Sequence, residues 1–380
     1  MRILVIVGTR PEAIKMAPVV HELRRRAIDH LVCLTGQHRE LVQQVLDSYD
    51  MSADIDLDLM TPGQTVVEVA QRVLTAVEPV LTRTRPDWML VQGDTTTVAA
   101  AALCAAWSGV KVGHVEAGLR SGDKTQPFPE EINRIVAGHV ADRHFAPTTA
   151  AHNALLAEGV PARDIVTTGN TVIDALHFQR AVAPSPRSLV HRLDPHTKLM
   201  VLTAHRRENF GQPLRDALGA VAHLARQRSD LAVVYPVHPN PNVGAVAREL
   251  LGNLDNVFLI EPVDHPEMVS LLTRAHLALT DSGGIQEEAP ALDTPVLVLR
   301  DVTERPEAVS SGAARLVGTN SDHIISEVSR LLDDPVAHRS MCVGTSPYGD
   351  GLASRRIVSS LLGEAIREFS PPIARLGRAS

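Results

Sequence analysis

The sequence predicts an α/β fold of two doubly wound, Rossmann-like domains with a cleft between them. Short, nearly continuous apolar runs alternate with longer amphipathic runs, which is typical of a parallel sheet covered by helices on both faces. The alternation pauses at 181–197, a segment rich in Pro, Ser and Arg, and then restarts. The chain of 380 residues is also too long for one ordinary hydrophobic core. We therefore predict an N-terminal domain over 1–170, a C-terminal domain over 171–352, and a final helix, 353–380, that joins the first domain.

Each apolar run is interpreted as a strand because it is short and is flanked by turn residues. In the first domain the predicted strands are 3–7, 31–35, 88–92, 110–115 and 144–146. In the second domain they are 199–203, 231–236, 257–260, 277–280, 296–299 and 315–317. Amphipathic periodicity predicts helices at 64–82 and 95–107, and the last amphipathic run, 352–369, is the one expected to cross back.

The composition disfavours several classes of protein. The net charge of −7 lacks the basic excess of a nucleic-acid-binding protein, and no apolar stretch reaches the length of a membrane span. The N-terminus does not resemble a signal peptide, so we expect a cytoplasmic protein with no membrane or nucleic-acid partner. The 3 cysteines are far apart and are expected to be free thiols. No HExxH, CxxC, GxSxG or P-loop pattern occurs, which disfavours a zinc site, a serine hydrolase and an ATPase.

The first predicted strand ends in the segment GTRPE (8–12), where a helix begins. Proline suits the first turn of a helix, and Gly8 allows close approach of a ligand to the backbone. Arg10 and Lys15 would lie near the positive end of that helix, which is a favourable place for an anion. The second and third glycines of the dinucleotide-binding fingerprint are missing. An ordinary tight turn with solvated charges is the alternative.

Three acidic residues of the first domain, Asp94, Glu116 and Glu130, follow predicted strands or begin predicted helices. Two of them have a structural alternative. Asp94 could cap the helix that follows it, and Glu130 and Glu131 could complement a helix dipole. Glu116 is harder to explain by packing, because it follows an apolar strand directly. Three carboxylates presented to one cleft indicate an acid–base site more strongly than any one of them alone.

In the second domain, polar residues again follow predicted strands directly. His205 and Arg206 come after one strand, and His238 comes after the next. Histidine can transfer a proton near neutral pH, and arginine can bind two phosphate oxygens in a fork. These residues indicate a site for a ligand that carries phosphate.

The turn Ser282-Gly283-Gly284 is the strongest indication of an anion site, because backbone N–H groups at the start of a helix can bind phosphate. Glu288, one turn further on, could accept hydrogen bonds from the two hydroxyls of a ribose. Arg305 could pair with a diphosphate. A solvated helical face is the alternative for Glu288 and its acidic neighbour.

With these residues identified, the chain resembles the non-hydrolysing UDP-N-acetylglucosamine 2-epimerases over nearly its whole length. The resemblance rests on long segments that occur in order along the chain. They are GTRPEAIKMAP (8–18), QGDTTT (92–97), GHVEAGLRSGD (113–123), PFPEEINR (127–134), TGNTVIDAL (168–176), AHRRENFG (204–211), YPVHPNPNV (235–243), LTDSGGIQEEAPAL (279–292), VLVLRDVTERPEAV (296–309) and PYGDG (347–351). The hydrolysing relatives diverge at the first segment, so its presence favours the non-hydrolysing branch.

The resemblance implies the glycosyltransferase-B architecture, with the nucleotide bound mainly by the C-terminal domain. It implies elimination of UDP across C1–C2 to give a 2-acetamidoglucal, and return of UDP with the C2 proton on the other face. It also implies that no cofactor or metal ion is needed and that the enzyme is a homodimer. By position it assigns catalytic roles to Asp94, Glu116, Glu130 and His205, and ligand contacts to Arg10, Lys15, Arg206, His238, the Ser282-Gly283-Gly284 turn, Glu288 and Arg305.

Two segments of the family pattern carry separate expectations. Relatives usually have an aromatic residue near position 268, against the uracil, whereas this chain has Met268. A thioether can cover the edge of a base but loses ring stacking, so we expect either a lower nucleotide affinity or a different position of the base. Bacterial members often bind a second UDP-N-acetylglucosamine as an activator near a Gln-His segment, and this chain keeps part of that segment at Gln37 and His38.

Three other functions stay open beside the epimerase. A hydrolysing epimerase would release UDP and free N-acetylmannosamine. A retaining glycosyltransferase would use the same glycine turn and ribose carboxylate, but it would not need three acidic groups in the first domain. A regulator that binds a nucleotide sugar without turning it over is disfavoured by the intact set of acids.

Overall fold

The fold consists of two compact units in a computed structural model that describes residues 1–36, 39–61, 63–182, 184–185, 188–303, 305–344 and 346–371. Unit 1 contains Met1–Phe178 and Tyr348–Pro371. Unit 2 contains Gln179–Pro347. Each unit is built around its own parallel sheet, so the predicted α/β fold class is confirmed.

Unit 1 has a parallel sheet of seven described strands in the order β3-β2-β1-β4-β5-β6-β7. The strands are β1 (Arg2–Val7), β2 (Asp29–Leu34), β3 (Ile55–Asp56), β4 (Trp88–Gln92), β5 (Lys111–Val115), β6 (Arg143–Ala146) and β7 (Ile165–Thr167). The helices are α1 (Arg10–Arg25), α2 (Arg39–Ser48), α3 (Val66–Thr84), α4 (Thr96–Trp107), α5 (Glu130–Val140), α6 (Thr149–Ala157), α7 (Thr171–Arg180) and, from the end of the chain, α15 (Ala353–Leu361). The order reverses between β1 and β4, which makes this the switch point of the sheet.

The apolar runs form strands because both of their faces are covered. Residues 3–7 of β1 are all buried, and they pack against helices on the two sides of the sheet. Several helices begin at a threonine whose hydroxyl accepts a backbone N–H, as at Thr9, Thr65 and Thr95. The sequence missed β3 and β7, because two or three residues are too few to show a periodic pattern.

Unit 2 has a parallel sheet of six strands within the described residues, in the order β10-β9-β8-β11-β12-β13. The strands are β8 (Lys198–Thr203), β9 (Leu231–Pro236), β10 (Val257–Ile260), β11 (Leu277–Thr280), β12 (Val296–Val298) and β13 (Ala314–Leu316). The helices are α8 (Gln212–Gln227), α9 (Pro241–Leu251), α10 (His265–Arg274), α11 (Gly283–Ala291), α12 (Pro306–Ser310), α13 (Ser321–Asp333) and α14 (Pro335–Met341). Counted from its own first strand, this is the order of the first six strands of unit 1, and its switch point lies between β8 and β11.

The first unit extends beyond residue 170, where the sequence predicted its end. Helix α7 packs on unit 1, because the ring of Phe178 stacks on Tyr49 and His21 at centroid distances of 5.3 and 5.1 Å. The Tyr49 hydroxyl also donates to the carbonyl of Ala175 at 3.3 Å. These contacts attach most of α7 to the first unit.

The final helix is shorter than the predicted span of 353–380. Helix α15 ends at Leu361, and the correction has a clear local cause. The N–H groups of Gly363 and Glu364 donate to the carbonyls of Ser360 and Ser359 at 3.1 and 3.0 Å, which is the hydrogen-bond pattern of a Schellman motif. Gly363 has the left-handed φ of +72° that such an ending requires. The chain after Pro371 lies outside the described residues.

The described part of the chain contains neither a candidate membrane span nor a candidate metal site. No helix within it is both long and apolar enough to span a membrane. The same residues contain no group of three or more His, Cys, Asp or Glu side chains arranged to hold a metal ion.

Candidate active site

Glu116 is the most constrained acid at the switch point of unit 1. It follows β5 directly and adopts a φ of +63°, a left-handed conformation that is unfavourable for a residue with a side chain. Lys15 Nζ lies 2.8 and 2.7 Å from its two carboxylate oxygens, and Gln92 Nε2 donates to one of them. Lys15, predicted as a ligand contact, is therefore bound to Glu116 in this structure.

Asp94 does not cap the helix that follows it, so the capping interpretation is wrong. The cap is Thr95, whose hydroxyl accepts the N–H of Val98 at 3.3 Å. Asp94 Oδ2 instead accepts hydrogen bonds from Arg134 Nε at 2.9 Å and Nη2 at 2.6 Å. The loop after β4 is thereby joined to α5, the helix that begins at Glu130.

The two acids at the start of α5 have different environments. Glu131 is buried and accepts the N–H groups of Ser121 and Gly122 at 3.1 Å, and Arg134 Nη1 lies 2.9 Å from it. Burial raises the pKa of Glu131, but these donors outweigh it and hold the pKa below its usual value. Glu130 has a buried Oε2 atom that finds no hydrogen-bond partner within the described chain. Glu131 therefore stabilises the 119–122 turn, and Glu130 keeps an oxygen for another partner.

Glu12 is a buried acid of the same region that the sequence reasoning did not single out. It is 2% exposed, and its Oε2 accepts the N–H groups of Gly8 at 2.6 Å and Thr9 at 3.3 Å. Its Oε1 accepts the hydroxyl of Thr95 at 2.8 Å. Burial raises the pKa of Glu12 to about 7, although these hydrogen bonds oppose the change. Glu12 joins the start of α1, at Arg10, to the start of α4.

In unit 2, His205 is oriented by a fully buried carboxylate. Its Nδ1 lies 3.1 Å from Asp281 Oδ1, and Asp281 is 0% exposed. Asp281 Oδ2 accepts the backbone N–H groups of His205 and Arg206, both at 2.8 Å. Burial raises the pKa of Asp281, but the hydrogen bonds from His205 and these N–H groups lower it further, so the net pKa lies below its usual value. Because Nδ1 faces the carboxylate, Nε2 is the atom that His205 can present to a ligand.

His238, which follows β9, lies against His205, which follows the neighbouring strand β8. The two rings stack with centroids 5.5 Å apart and an angle of 11° between their planes. The N–H of Asn240 donates to His238 Nδ1 at 3.1 Å, so the ring proton of His238 is on Nε2. Burial and the neighbouring His205 lower the pKa of His238, which favours the neutral ring.

The start of α11 has the features of an anion site. Guanidinium nitrogens of Arg206 and Arg305 both lie close to Gly283. Each is 3.8 Å from the point where a Cβ atom on Gly283 would be. The N–H of Ser282 donates to the hydroxyl of Thr280 at 2.9 Å, and that bond fixes the turn. The N–H groups of the first helical turn, beginning with Gly283, have no acceptor inside the helix. Two guanidinium groups therefore converge on the positive end of a helix dipole.

The acids of α11 are not on a solvated face, so that alternative is wrong. Glu287 is 2% exposed and accepts a hydrogen bond from Arg305 Nε. Glu288 is also buried, and its Oε2 lies 3.2 Å from His265 Nε2. Arg305 is thus held by a buried acid on the same helix whose start it faces.

Known proteins resemble this chain over almost its entire length. A family model described as UDP-N-acetylglucosamine 2-epimerase matches residues 21–362. The UDP-N-acetylglucosamine 2-epimerase of Yersinia pestis is 49% identical over 369 residues, which cover 95% of this chain and 98% of the relative. The chain belongs to the UDP-N-acetylglucosamine 2-epimerase family.

Solved structures agree with this assignment. The UDP-GlcNAc 2-epimerase from Neisseria meningitidis, solved bound to UDP-GlcNAc, has a TM-score of 0.88 and 42% identity, covering 96% of this chain and 100% of its own. The glycosyltransferase of kitacinnamycin has a TM-score of 0.63 at 14% identity, covering 95% of this chain and 98% of its own, and shows a shared fold alone. The fold class predicted for this epimerase-family chain is therefore confirmed.

Within this member of the epimerase family, the structure brings the predicted residues into two clusters, one in each unit. Sequence reasoning missed the partners that hold them, which are Gln92, Arg134 and Asp281. It also missed Glu12, which binds the backbone at the start of α1 and the hydroxyl of Thr95. The signal for Gln92 and Asp281 was a polar residue at the end of a buried strand, and the signal for Glu12 was its spacing of three from Thr9, a capping box.

Two other predicted features concern Met268 and the Gln-His segment. Met268 lies half-buried in the first turn of α10. Gln37 and His38 fall outside the described residues, so nothing is added to the expectation of an activator site there.

Proposed function

We propose that this enzyme reversibly converts UDP-N-acetylglucosamine into UDP-N-acetylmannosamine by inverting C2 of the sugar. A carboxylate removes the proton from C2 while the C1–O bond breaks, and UDP leaves with the bonding electrons. The resulting 2-acetamidoglucal then takes UDP back at C1 and a proton on the opposite face of C2. The C2 proton is not adjacent to a carbonyl, so this anti elimination provides a route that simple deprotonation does not.

The observation that carries the proposal is the pair of carboxylates on neighbouring strands of unit 1. Asp94 and Glu116 follow β4 and β5, and Arg134 and Lys15 hold one each. Inversion needs one group that removes a proton from one face and another that returns a proton to the other face. Asp94 and Glu116 supply such a pair, and Glu130, whose Oε2 has no partner among the described residues, supplies a third candidate.

In this proposal the groups of unit 2 bind UDP and assist its departure. Arg206, Arg305 and the N–H groups at the start of α11 suit a diphosphate, and Glu288 suits the ribose hydroxyls. His205 suits a donor to the leaving phosphate oxygen, because Asp281 faces its Nδ1 at 3.1 Å and leaves Nε2 to contact the ligand. His238, stacked on His205, is a further ligand contact, and Arg10 of unit 1 is another.

The proposal requires no cofactor or metal ion. A homodimer, and activation by a second UDP-N-acetylglucosamine near Gln37 and His38, stay predictions drawn from the family. Sedimentation would test the first. A substrate-saturation curve unchanged by Gln37→Ala and His38→Ala would contradict the second.

The test is incubation with UDP-N-acetylglucosamine in deuterated water, followed by NMR of the sugar. Interconversion of the two UDP sugars with deuterium at C2 is the expected result. Release of UDP and free N-acetylmannosamine would overturn the proposal in favour of a hydrolysing epimerase. No reaction without an acceptor sugar would overturn it in favour of a glycosyltransferase.

A further inference from the structure

His114 lies on β5, two residues before Glu116, and its side chain reaches the loop that carries Asp94. Its Nε2 atom is 2.7 Å from the carbonyl oxygen of Gly93, the residue directly before Asp94. The N–H of Gly93 in turn donates to the carbonyl of Val115 at 3.0 Å. Both backbone polar groups of Gly93 are therefore bound by β5, the strand that ends at Glu116.

Gly93 is the point at which the chain leaves the sheet. The register of β4 and β5 ends with Gln92 opposite Val115, and Gly93 then adopts a left-handed φ of +80°. Apart from Gly93 itself and its two chain neighbours, no described residue has an atom within 4 Å of where a Cβ of Gly93 would be, so side-chain packing does not fix this residue. A glycine in such a position has wide conformational freedom, and the orientation of its peptide sets the direction of Asp94. The bond from His114 restricts that freedom.

The His114 ring is a neutral donor. It is 1% exposed, and burial lowers its pKa to about 4, although the hydrogen bond to Gly93 opposes the change. A neutral ring that donates through Nε2 has an unprotonated Nδ1, and in His114 that atom is buried with no hydrogen-bond partner in the described chain. An unpaired buried acceptor destabilises a fold. An apolar side chain would avoid that destabilisation but could not bind Gly93.

We propose that His114 is a positioning residue of the epimerase, which fixes Asp94 relative to Glu116 by holding the Gly93 carbonyl. This inference rests on the proposed function for its effect on catalysis. Its geometric part, the orientation of the Gly93–Asp94 peptide, does not depend on that function.

His144 provides a matched control. It lies opposite His114 in the register of β5 and β6, it is equally buried, and its Nε2 atom is 2.8 Å from the carbonyl of Gly138. Its Nδ1 is also buried and finds no partner among the residues described. Its acceptor, Gly138, lies late in α5 and is not part of the Gly93 loop. His144→Leu therefore removes the same kind of bond without releasing Gly93.

The experiment compares His114→Leu, His114→Gln and His144→Leu by steady-state kinetics, UDP titration and thermal unfolding. The amide nitrogen of glutamine can occupy the place of histidine Nε2 and keep the donor. We expect His114→Leu to lower kcat about 100-fold with the affinity for UDP unchanged, because a small misplacement of a catalytic group has an effect of that size. We expect His114→Gln to recover most of the lost kcat, and His144→Leu to lose thermal stability but keep kcat.

Three kinetic outcomes would overturn the positioning role. They are an unchanged kcat in His114→Leu, a His114→Gln variant as slow as His114→Leu, and an equal loss of kcat in His144→Leu. Crystal structures of the two His114 variants decide the geometric part independently. The Gly93 carbonyl should turn away in His114→Leu and stay in His114→Gln, and an unmoved Gly93–Asp94 segment in His114→Leu would refute the inference. Absence of deuterium exchange in the unmodified enzyme would instead refute the proposed function, and the crystal structures would still test His114.

Discussion

The switch points of the two units carry opposite arrangements of charge on the same strand order. In unit 1 the groups presented at the strand ends are acids, Asp94 and Glu116, and cations hold them. In unit 2 the presented groups are basic, His205 and Arg305, and buried acids hold them. The same strand order thus presents acidic groups in one unit and basic groups in the other. The sheet determines where side chains emerge but not which side chains they are.

The comparison also separates two ways of fixing a functional group. In unit 1 the acids sit on loops constrained by backbone and side-chain bonds between neighbouring strands, with Glu116 in a left-handed conformation. In unit 2 one carboxylate, Asp281 after β11, anchors the backbone of the loop that follows the neighbouring strand β8, as well as the imidazole of His205. The first arrangement suits proton transfer, which requires accurate placement, and the second suits binding of an anion of defined shape.

Glu116→Gln is expected to have the largest effect, and it tests the difference between the two units most directly. The variant keeps the size of the side chain but removes a proton acceptor, so kcat should fall about 1,000-fold, or about 4 kcal/mol in the activation barrier. The dissociation constant for UDP, measured by calorimetry, should stay within about threefold because UDP binding is assigned to unit 2.

Glu158→Gln is the control for that variant. Like Glu116, Glu158 is a unit 1 carboxylate with a cationic partner, here Arg120 at 2.6 Å, and its loss should leave kcat unchanged. A parallel loss of UDP affinity in Glu116→Gln would contradict the proposal that unit 1 supplies the acid–base groups and unit 2 binds UDP. Asp94→Asn and Glu130→Gln, assayed for C2 exchange and release of the glycal, would then assign each carboxylate to a face of the sugar.

Glu12→Gln is expected to have the next largest effect, on stability rather than on turnover. The folded-state pKa of about 7 lies above the ordinary value of 4.5, so the folded protein binds the proton more tightly than the unfolded chain. The free energy of unfolding should therefore fall as the pH rises between these values, by about 3 kcal/mol from this one group.

The measurement is urea unfolding of the Glu12→Gln and unmodified proteins at pH 4.5 and pH 8. The difference in unfolding free energy between the two proteins should shift by about 3 kcal/mol in favour of the variant at the higher pH. A difference that stays constant with pH would mean that Glu12 is ionised throughout. The hydrogen bonds from Gly8, Thr9 and Thr95 would then outweigh burial.

Arg206→Ala is expected to have the smallest of the three effects and sharpens the assignment of unit 2. Loss of a charged donor to phosphate should weaken UDP binding by about 2 kcal/mol, or about 30-fold. Arg206→Lys keeps the positive charge but loses the two-donor geometry of the guanidinium group, so it should recover only part of the affinity. A fall in kcat at saturating substrate with an unchanged dissociation constant for UDP would contradict the binding role.

The fold class and several candidate site residues could be predicted from the sequence alone. The alternation of apolar and amphipathic runs predicted two parallel sheets, because a strand buried on both faces must be apolar throughout its length. Polar residues at the ends of those strands predicted Asp94, Glu116 and His205 as functional groups, since side chains emerge there in a doubly wound sheet.

Tertiary structure decided how these groups are held. Asp281 beside His205, Arg134 beside Asp94 and His114 beside Gly93 are 76, 40 and 21 positions apart in the chain, and no local pattern predicts which residues meet across such separations. It also decided that Glu287 is a buried partner of Arg305 and not a solvated charge. Periodicity reports which face of an element is buried, but an ion pair is specified by residues from elements that meet only after folding.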